Sequence, residues 1–273
     1  MRSLLFVPGS RPDRIAKALA AGADGVCIDL EDAVPPAGKD EARHAVMAAL
    51  AEPRTGGAPR LGFRINSPRT AAGLADLAAY AHGEGRADFL MIPKVSHREE
   101  LVIIAEALGG PDAPPLWPVI ESAAGLKHAY EIAGAPGVEG ALFGGADYAA
   151  DLAITMEWEP LLHARGVLAA AAAASGVELM DVPWLDVEDE AGLAETTARA
   201  KALGFTGRAC IHPKQIAGVA AAFTPGEDEL ARARAILEAF AKADGGAALF
   251  NGKLIELPVI RAARRTLAAA RQG

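Results

Sequence analysis

The sequence predicts an α/β fold: a (β/α)8 barrel of the TIM type with a helical C-terminal extension. Eight short apolar runs, at 3–8, 25–30, 61–66, 88–93, 116–121, 140–145, 179–183 and 207–212, alternate with longer helix-spaced stretches. Eight strands interleaved with helices is the count of such a barrel. Runs such as Leu4-Leu5-Phe6-Val7 and Val26-Cys27-Ile28 are apolar at every position, as parallel strands covered on both faces require. A length of 273 residues suits one large domain of this kind. An open doubly wound sheet is the rival topology.

The stretches Asp13–Ala21, Lys39–Ala51, Thr70–Ala81, Glu99–Leu108 and Glu188–Leu203 carry apolar residues at helical spacing. Asp13 and Thr70 are expected N-caps, and Gly22 and Gly204 fall where helices should stop. The Ala-rich segment Val167–Ala174 reads as a helix packed closely on the barrel. No repeat or long linker divides the chain. The barrel is assigned to 1–224 and the extension to 225–273. The extension is expected to hold a helix at Glu227–Lys242, a break at Gly245-Gly246 and then a further stretch at Leu249–Ala270. It is expected to pack on the barrel and on a neighbouring subunit.

Hydrophobic residues make up 51% of the chain and aromatics only 5%, so the core should be mainly aliphatic. A net charge of −8 argues against nucleic-acid and membrane partners. The two cysteines, Cys27 and Cys210, lie in apolar runs and are expected to be free, buried thiols in a reducing cytoplasm. The N-terminal apolar stretch is too short for a leader or a membrane span.

In a parallel barrel the C-terminal strand ends share one rim, where active sites of this fold lie. The polar residues at those ends are Asp29, Glu31 and Asp32; Arg64 and Asn66; Lys94; Glu121; Asp147; Asp181; and His212. Glu121 and Asp147 follow adjacent runs and could share one ion. Oxygen-only ligands point to Mg²⁺ or Mn²⁺ rather than zinc; the alternative is two unrelated surface or capping acids. Arg64 is costly to bury without an anionic partner, and its guanidinium fork matches a substrate carboxylate. Glu31 and Asp32 either reach the water shell of the same metal or cap the helix starting near Lys39. Gly9, Ser10, Arg11 and Arg14, at the entry to a helix, suit a phosphate or form a plain βα turn. His212 is either an acid/base group or a structural residue at a strand end.

Seven segments together resemble one known family. They are Leu5-Phe6-Val7-Pro8-Gly9-Ser10-Arg11-Pro12, Ile28-Asp29-Leu30-Glu31-Asp32-Ala33-Val34, Phe63-Arg64-Ile65-Asn66, Pro93-Lys94-Val95, Ile120-Glu121-Ser122, Phe143-Gly144-Gly145-Ala146-Asp147-Tyr148 and Ile211-His212-Pro213. The family is the citrate lyase β-subunit-like (CitE-like) branch of the HpcH/HpaI aldolases. The resemblance implies a homotrimer or dimer of trimers that cleaves or forms a C–C bond in a 3-hydroxyacyl-CoA such as malyl-, citramalyl- or citryl-CoA, with Mg²⁺. It implies that Glu121 and Asp147 bind the metal, that Glu121 also contacts substrate, and that Arg64 holds the oxo-acid oxygens. Arg11 and Arg14 would face the CoA phosphates.

One segment departs from the family pattern. Gly252-Lys253-Leu254-Ile255-Glu256-Leu257-Pro258 carries Glu256 where lyases of the family carry an Asp that enters a neighbouring subunit's active site. That carboxylate moves the proton on the acetyl-CoA methyl carbon, and a displacement of about 1 Å can cost on the order of 10²-fold in rate. The alternatives are a hydroxyacyl-CoA thioesterase or a free-acid aldolase on the same scaffold, or, favoured by Glu256, a subunit active only within a larger lyase complex.

Overall fold

The computed structural model describes residues 1–242, 249–250 and 253–270. The chain divides into two compact units, Met1–Ala220 and Ala221–Gly273.

The first unit is a closed barrel of eight parallel strands paired in chain order, with the eighth returning to the first. The strands are β1 (Ser3–Pro8), β2 (Gly25–Asp29), β3 (Arg60–Arg64), β4 (Phe89–Ile92), β5 (Leu116–Ile120), β6 (Gly140–Phe143), β7 (Glu178–Asp181) and β8 (Gly207–Cys210). Between and after them run α1 (Pro12–Leu19), α2 (Lys39–Ala51), α3 (Ala71–His82), α4 (Arg98–Ala107), α5 (Ala123–Lys127), α6 (Ala129–Ala133), α7 (Gly145–Asp151), α8 (Trp158–Ser175), α9 (Glu190–Leu203) and α10 (Lys214–Phe223). The division between the two units falls within the last turn of α10. No described helix is long and apolar enough to cross a membrane.

Side chains alternate across a strand, so each strand sends one set inward and one set outward against the helices. Leu4, Cys27, Phe89, Met91, Trp117, Val119, Leu142, Met180 and Ala209 form one buried cluster that fills the lumen. Truncating one of them, Leu142→Ala for instance, should cost about 2–5 kcal/mol. The plug leaves only the C-terminal end of the lumen open to chemistry.

Most of the predicted strands end one or two residues early, because the residues beyond them bend into the rim loops. Thr70 caps α3 by accepting from the Gly73 N–H, as expected. Gly204 ends α9 at φ +106°, a conformation that a side chain disfavours. Asp13 is not a cap. Pro12, with its fixed φ, opens α1, which moves the N-cap to Arg11 and leaves Asp13 in the first turn.

The second unit packs α11 (Glu227–Lys242) against α12 (Leu257–Ala269) through Ala233, Ile236, Ile255, Ile260 and Ala263. Within the stretch Leu249–Ala270 the helix starts at Leu257. It is preceded by the short antiparallel pair β9 (Leu249–Phe250) and β10 (Lys253–Leu254). Pro258 fits the first turn of a helix, but in a longer one its ring would clash with the carbonyl four residues back. The expected break at Gly245-Gly246 lies outside the described residues.

Candidate active site

Register and parity build the site. Cys27 faces the lumen, so Asp29, two residues on, does as well. Asp29 pairs in register with Arg64 on β3, which puts both side chains on the inner face. The Asp29 carboxylate accepts from Arg64 Nε at 2.7 Å and from Nη2 at 2.6 Å. Arg64 Nη1 lies 2.9 Å from Glu31 Oε2 and 3.6 Å from Asp32 Oδ2. The guanidinium also sits over the Phe6 ring, 5.3 Å from its centroid. Burial disfavours the Arg64 charge, but Asp29 and Glu31 hold it firmly protonated. Arg64 thus has its anionic partners within the chain. Asp29 fills one fork, so a substrate oxygen has only the remaining N–H groups to use.

Asp29 also shapes the following loop by accepting the N–H groups of Glu31 (2.9 Å) and Ala33 (3.1 Å). Burial raises the pKa of the Glu31 carboxyl despite Arg64 beside it. Neither Glu31 nor Asp32 caps α2. A 3₁₀ turn at Pro36–Gly38 leads into that helix, and Lys39 Nζ reaches back to the carbonyls of Leu30 and Glu31.

Val119 is part of the lumen plug, so Glu121 also points inward, just past the end of β5. The Lys94 backbone N–H donates to Glu121 Oε1 at 2.6 Å. Lys94 adopts φ +58° to do so, which costs a residue with a side chain about 1–2 kcal/mol. Its Nζ stands 3.1 Å from Glu31 Oε1. Gly144 opposes Glu121 at the end of β6. A Cβ there would lie 2.5 Å from Glu121 Cβ, so only glycine admits the carboxylate.

Asp147, in the first turn of α7, contacts Glu121. Burial first, then the charges of Glu31 and Asp147, push the Glu121 pKa up to about 9. A cation between the two acids would relieve that crowding. Among the described residues no group of three or more His, Cys, Asp or Glu forms a metal cage. Two carboxylates with open positions suit Mg²⁺ or Mn²⁺, which usually keep water and substrate in their other positions.

These groups border a cavity of about 450 Å³ that Asp29, Asp32, Arg64, Glu121 and Asp147 line together with mostly apolar side chains. All of its lining residues belong to the first unit. A neighbouring cavity of about 390 Å³ brings Arg11 and Arg14 together with Lys17 and His212. Arg11 is held by Asp13 at 2.8–2.9 Å. The His212 ring accepts the Lys214 N–H through Nδ1, at 3.2 Å, as a structural residue at the start of α10 would.

Two expected rim residues turn elsewhere. Asp181 follows the inward Met180 and therefore points outward, buried, with Arg165 Nε at 3.0 Å. Asn66 donates its backbone and side-chain N–H groups to the buried Asp76 on α3, at 2.8 and 2.7 Å. Glu256 is an exposed residue of the second unit, at the N-cap of α12. The sequence places Asp29 and Lys94 at the rim without assigning them a partner, and gives no role to Gly144 or Lys17. Counting by twos from Cys27 would have turned Asp29 inward towards Arg64. The left-handed backbone of Lys94 leaves no sequence signal.

A closed parallel barrel whose strand ends gather carboxylates around a guanidinium is an α/β barrel of the enzyme-bearing kind. Residues 2–213 match the sequence model of the HpcH/HpaI aldolase/citrate lyase family, and the chain belongs to that family. It is 35% identical to a (3S)-malyl-CoA thioesterase of Cereibacter sphaeroides over 98% of this chain and 94% of that protein. Identity to an L-malyl-CoA/beta-methylmalyl-CoA lyase of the same species is 35%, covering 96% and 92%. The crystal structure of CitE from Mycobacterium tuberculosis, in complex with magnesium, acetoacetate and coenzyme A, superposes with a TM-score of 0.84. That match is 33% identical and covers 99% of this chain and 98% of the other.

Proposed function

We propose that this protein is a divalent-metal-dependent lyase that cleaves, or in reverse forms, the C–C bond of a 3-hydroxyacyl-CoA, giving acetyl-CoA and an oxo acid. The observation that carries the reading is the Glu121–Asp147 pair beside a fully charged Arg64 in an otherwise apolar cavity. Glu121 and Asp147 would hold Mg²⁺ or Mn²⁺, which would supply Lewis-acid polarisation of the reacting oxygen. Arg64, fixed by Asp29 and Glu31, offers its remaining N–H groups to the oxygen that becomes the carbonyl. Asp32, the exposed carboxylate on the cavity wall, takes the hydroxyl proton. C–C cleavage then leaves the acetyl-CoA enolate, and Glu256 of a neighbouring copy returns a proton to its carbon. That step requires a homotrimer or dimer of trimers in which the extension covers the next barrel. Arg11, Arg14, Lys17 and His212 hold the CoA phosphates in the neighbouring cavity.

A second reading, thioester hydrolysis, draws support from the malyl-CoA thioesterase likeness and from Glu256 in place of Asp. Purified protein with Mg²⁺ and malyl-, citramalyl- or citryl-CoA separates the two. Equal release of acetyl-CoA and oxo acid, abolished by EDTA, is expected. Free CoA thiol without acetyl-CoA would instead establish the thioesterase. Silence on all three esters would leave the free-acid aldolase or a subunit of a larger complex.

A further inference from the structure

We propose that a second cavity, on the outer side of the barrel wall by α8 and α9, is a ligand site for an organic anion: a carboxylate carried on an aromatic or apolar body. The inference stands apart from the lyase reading. The cavity measures about 520 Å³, a size that suits a small organic molecule. Every residue around it belongs to the first unit.

The charges at this cavity do not balance. Arg165 and Arg208, 3% and 1% exposed, both border it, and the acid they share is the single carboxylate of Asp181. Arg165 gives Asp181 its Nε–H at 3.0 Å, while Arg208 Nη2 stays 3.8 Å away. One positive charge is left over where burial without a counter-ion is costly. The donors do not balance either. Arg165 Nη1 and the indole Nε1 of Trp184 are buried N–H groups with no acceptor among the described residues. The other acids around the cavity are exposed and turned elsewhere. Glu159 accepts from Arg199 at 3.0 Å, Glu157 from the Thr155 hydroxyl at 3.3 Å and Asp186 from the Glu188 N–H at 3.0 Å. A water molecule would accept from the idle N–H groups but leave the charge. A carboxylate answers both.

The remaining wall sets the body of the ligand. Met156, Trp158, Val182, Pro183, Trp184 and Leu185 present apolar or aromatic surface. A bare inorganic anion would leave that surface uncovered, whereas a flat apolar ring buries it.

Naphthoate is a suitable probe and naphthylmethanol its neutral control, each titrated calorimetrically into the full chain in the oligomeric state in which it purifies. Naphthoate should bind with a Kd below about 1 mM, and the alcohol at least tenfold more weakly. Val182, Pro183 and Leu185 border the candidate active-site cavity as well, whereas the half-buried Met156 borders only the outer one of the two. Naphthoate should therefore bind at least tenfold more tightly to Met156→Lys than to Met156→Glu, with the alcohol separating the two variants by less than twofold. Arg165→Met, which removes the surplus charge, should lower naphthoate affinity at least tenfold; the Met156 pair carries the test if that variant does not fold. An alcohol bound as tightly as naphthoate, or a folded Arg165→Met with unchanged affinity, would overturn the inference. So would equal affinities of the Met156 variants, which would put the probe in the candidate active site. Absence of binding, as a neighbouring copy seated over the cavity would produce, would overturn it too.

Discussion

Two buried arginine–aspartate clusters sit at the C-terminal ends of the barrel strands and face opposite ways. In the lumen, Asp29 grips Arg64, with Glu31, Lys94 and Glu121 around them. Outside the wall, Asp181 takes Arg165 Nε at 3.0 Å, while Arg208 Nη2 stands 3.8 Å away and its other nitrogens bond Thr196, Thr197 and the Val182 carbonyl. Arg165 also lies over the Trp158 ring at 4.2 Å. In the outer cluster Asp181 is fully buried, and its arginines border the second cavity of about 520 Å³ with Trp158 and Trp184, whereas in the lumen cluster Asp29 itself lines the cavity of the candidate site. Similar chemistry at similar strand ends thus welds helices to the wall in one place and builds a candidate site in the other. The facing of one residue, inward for Asp29 and outward for Asp181, makes the difference.

The sharpest way to break this contrast is from the lumen side. Asp147→Ala should lower kcat/KM by on the order of 10³-fold, about 4 kcal/mol of transition-state stabilisation, while the melting temperature stays within a few degrees. A variant that kept a tenth of wild-type turnover would remove Asp147 from the site. From the other side, Asp181→Ala leaves two buried guanidiniums without their carboxylate. It should cost about 3–5 kcal/mol of stability, read as a lower denaturation midpoint; an unchanged midpoint would show that the outer cluster is not a weld.

Lys94 offers a smaller test. Lys94→Gly should be more stable than Lys94→Ala by about 1–2 kcal/mol, because only the latter keeps the left-handed strain, while both keep the N–H that aims Glu121. Equal stabilities would show that the φ +58° conformation stores nothing. The smallest effect concerns the thiols, one on each face of the wall. Burial pushes Cys210 up to about 12 and Cys27 well above its ordinary value. A raised thiol pKa adds stability that is present below about pH 9 and lost as pH rises through about 12. These groups should therefore leave stability flat between pH 6 and 8 and resist a thiol reagent until the chain unfolds. Rapid labelling of the native protein at pH 8 would contradict this.

Much of the barrel was legible because parallel strands buried on both faces must be written as unbroken apolar runs, and the eight runs stand in the order in which they pair. The rim acids were legible for the same reason, since polar residues that close such runs stand out. What those runs hide is which way each residue faces: an unbroken apolar strand has no alternation to fix its parity. Asp181 was read as a rim residue on that account, and Asp29 was passed over as a partner for Arg64.

The sequence by itself thus determined the eight-stranded α/β alternation, the two acids Glu121 and Asp147 at neighbouring strand ends, and a lone strand arginine in need of an anion. Only the tertiary structure decided that Asp29 and Glu31 supply that anion, that a left-handed Lys94 aims Glu121, and that Asp181 turns away to Arg165. The physical reason is that apolar burial is a local property written residue by residue. Ion pairing across a barrel depends instead on register between strands about 30 residues apart, which is fixed only when the sheet closes.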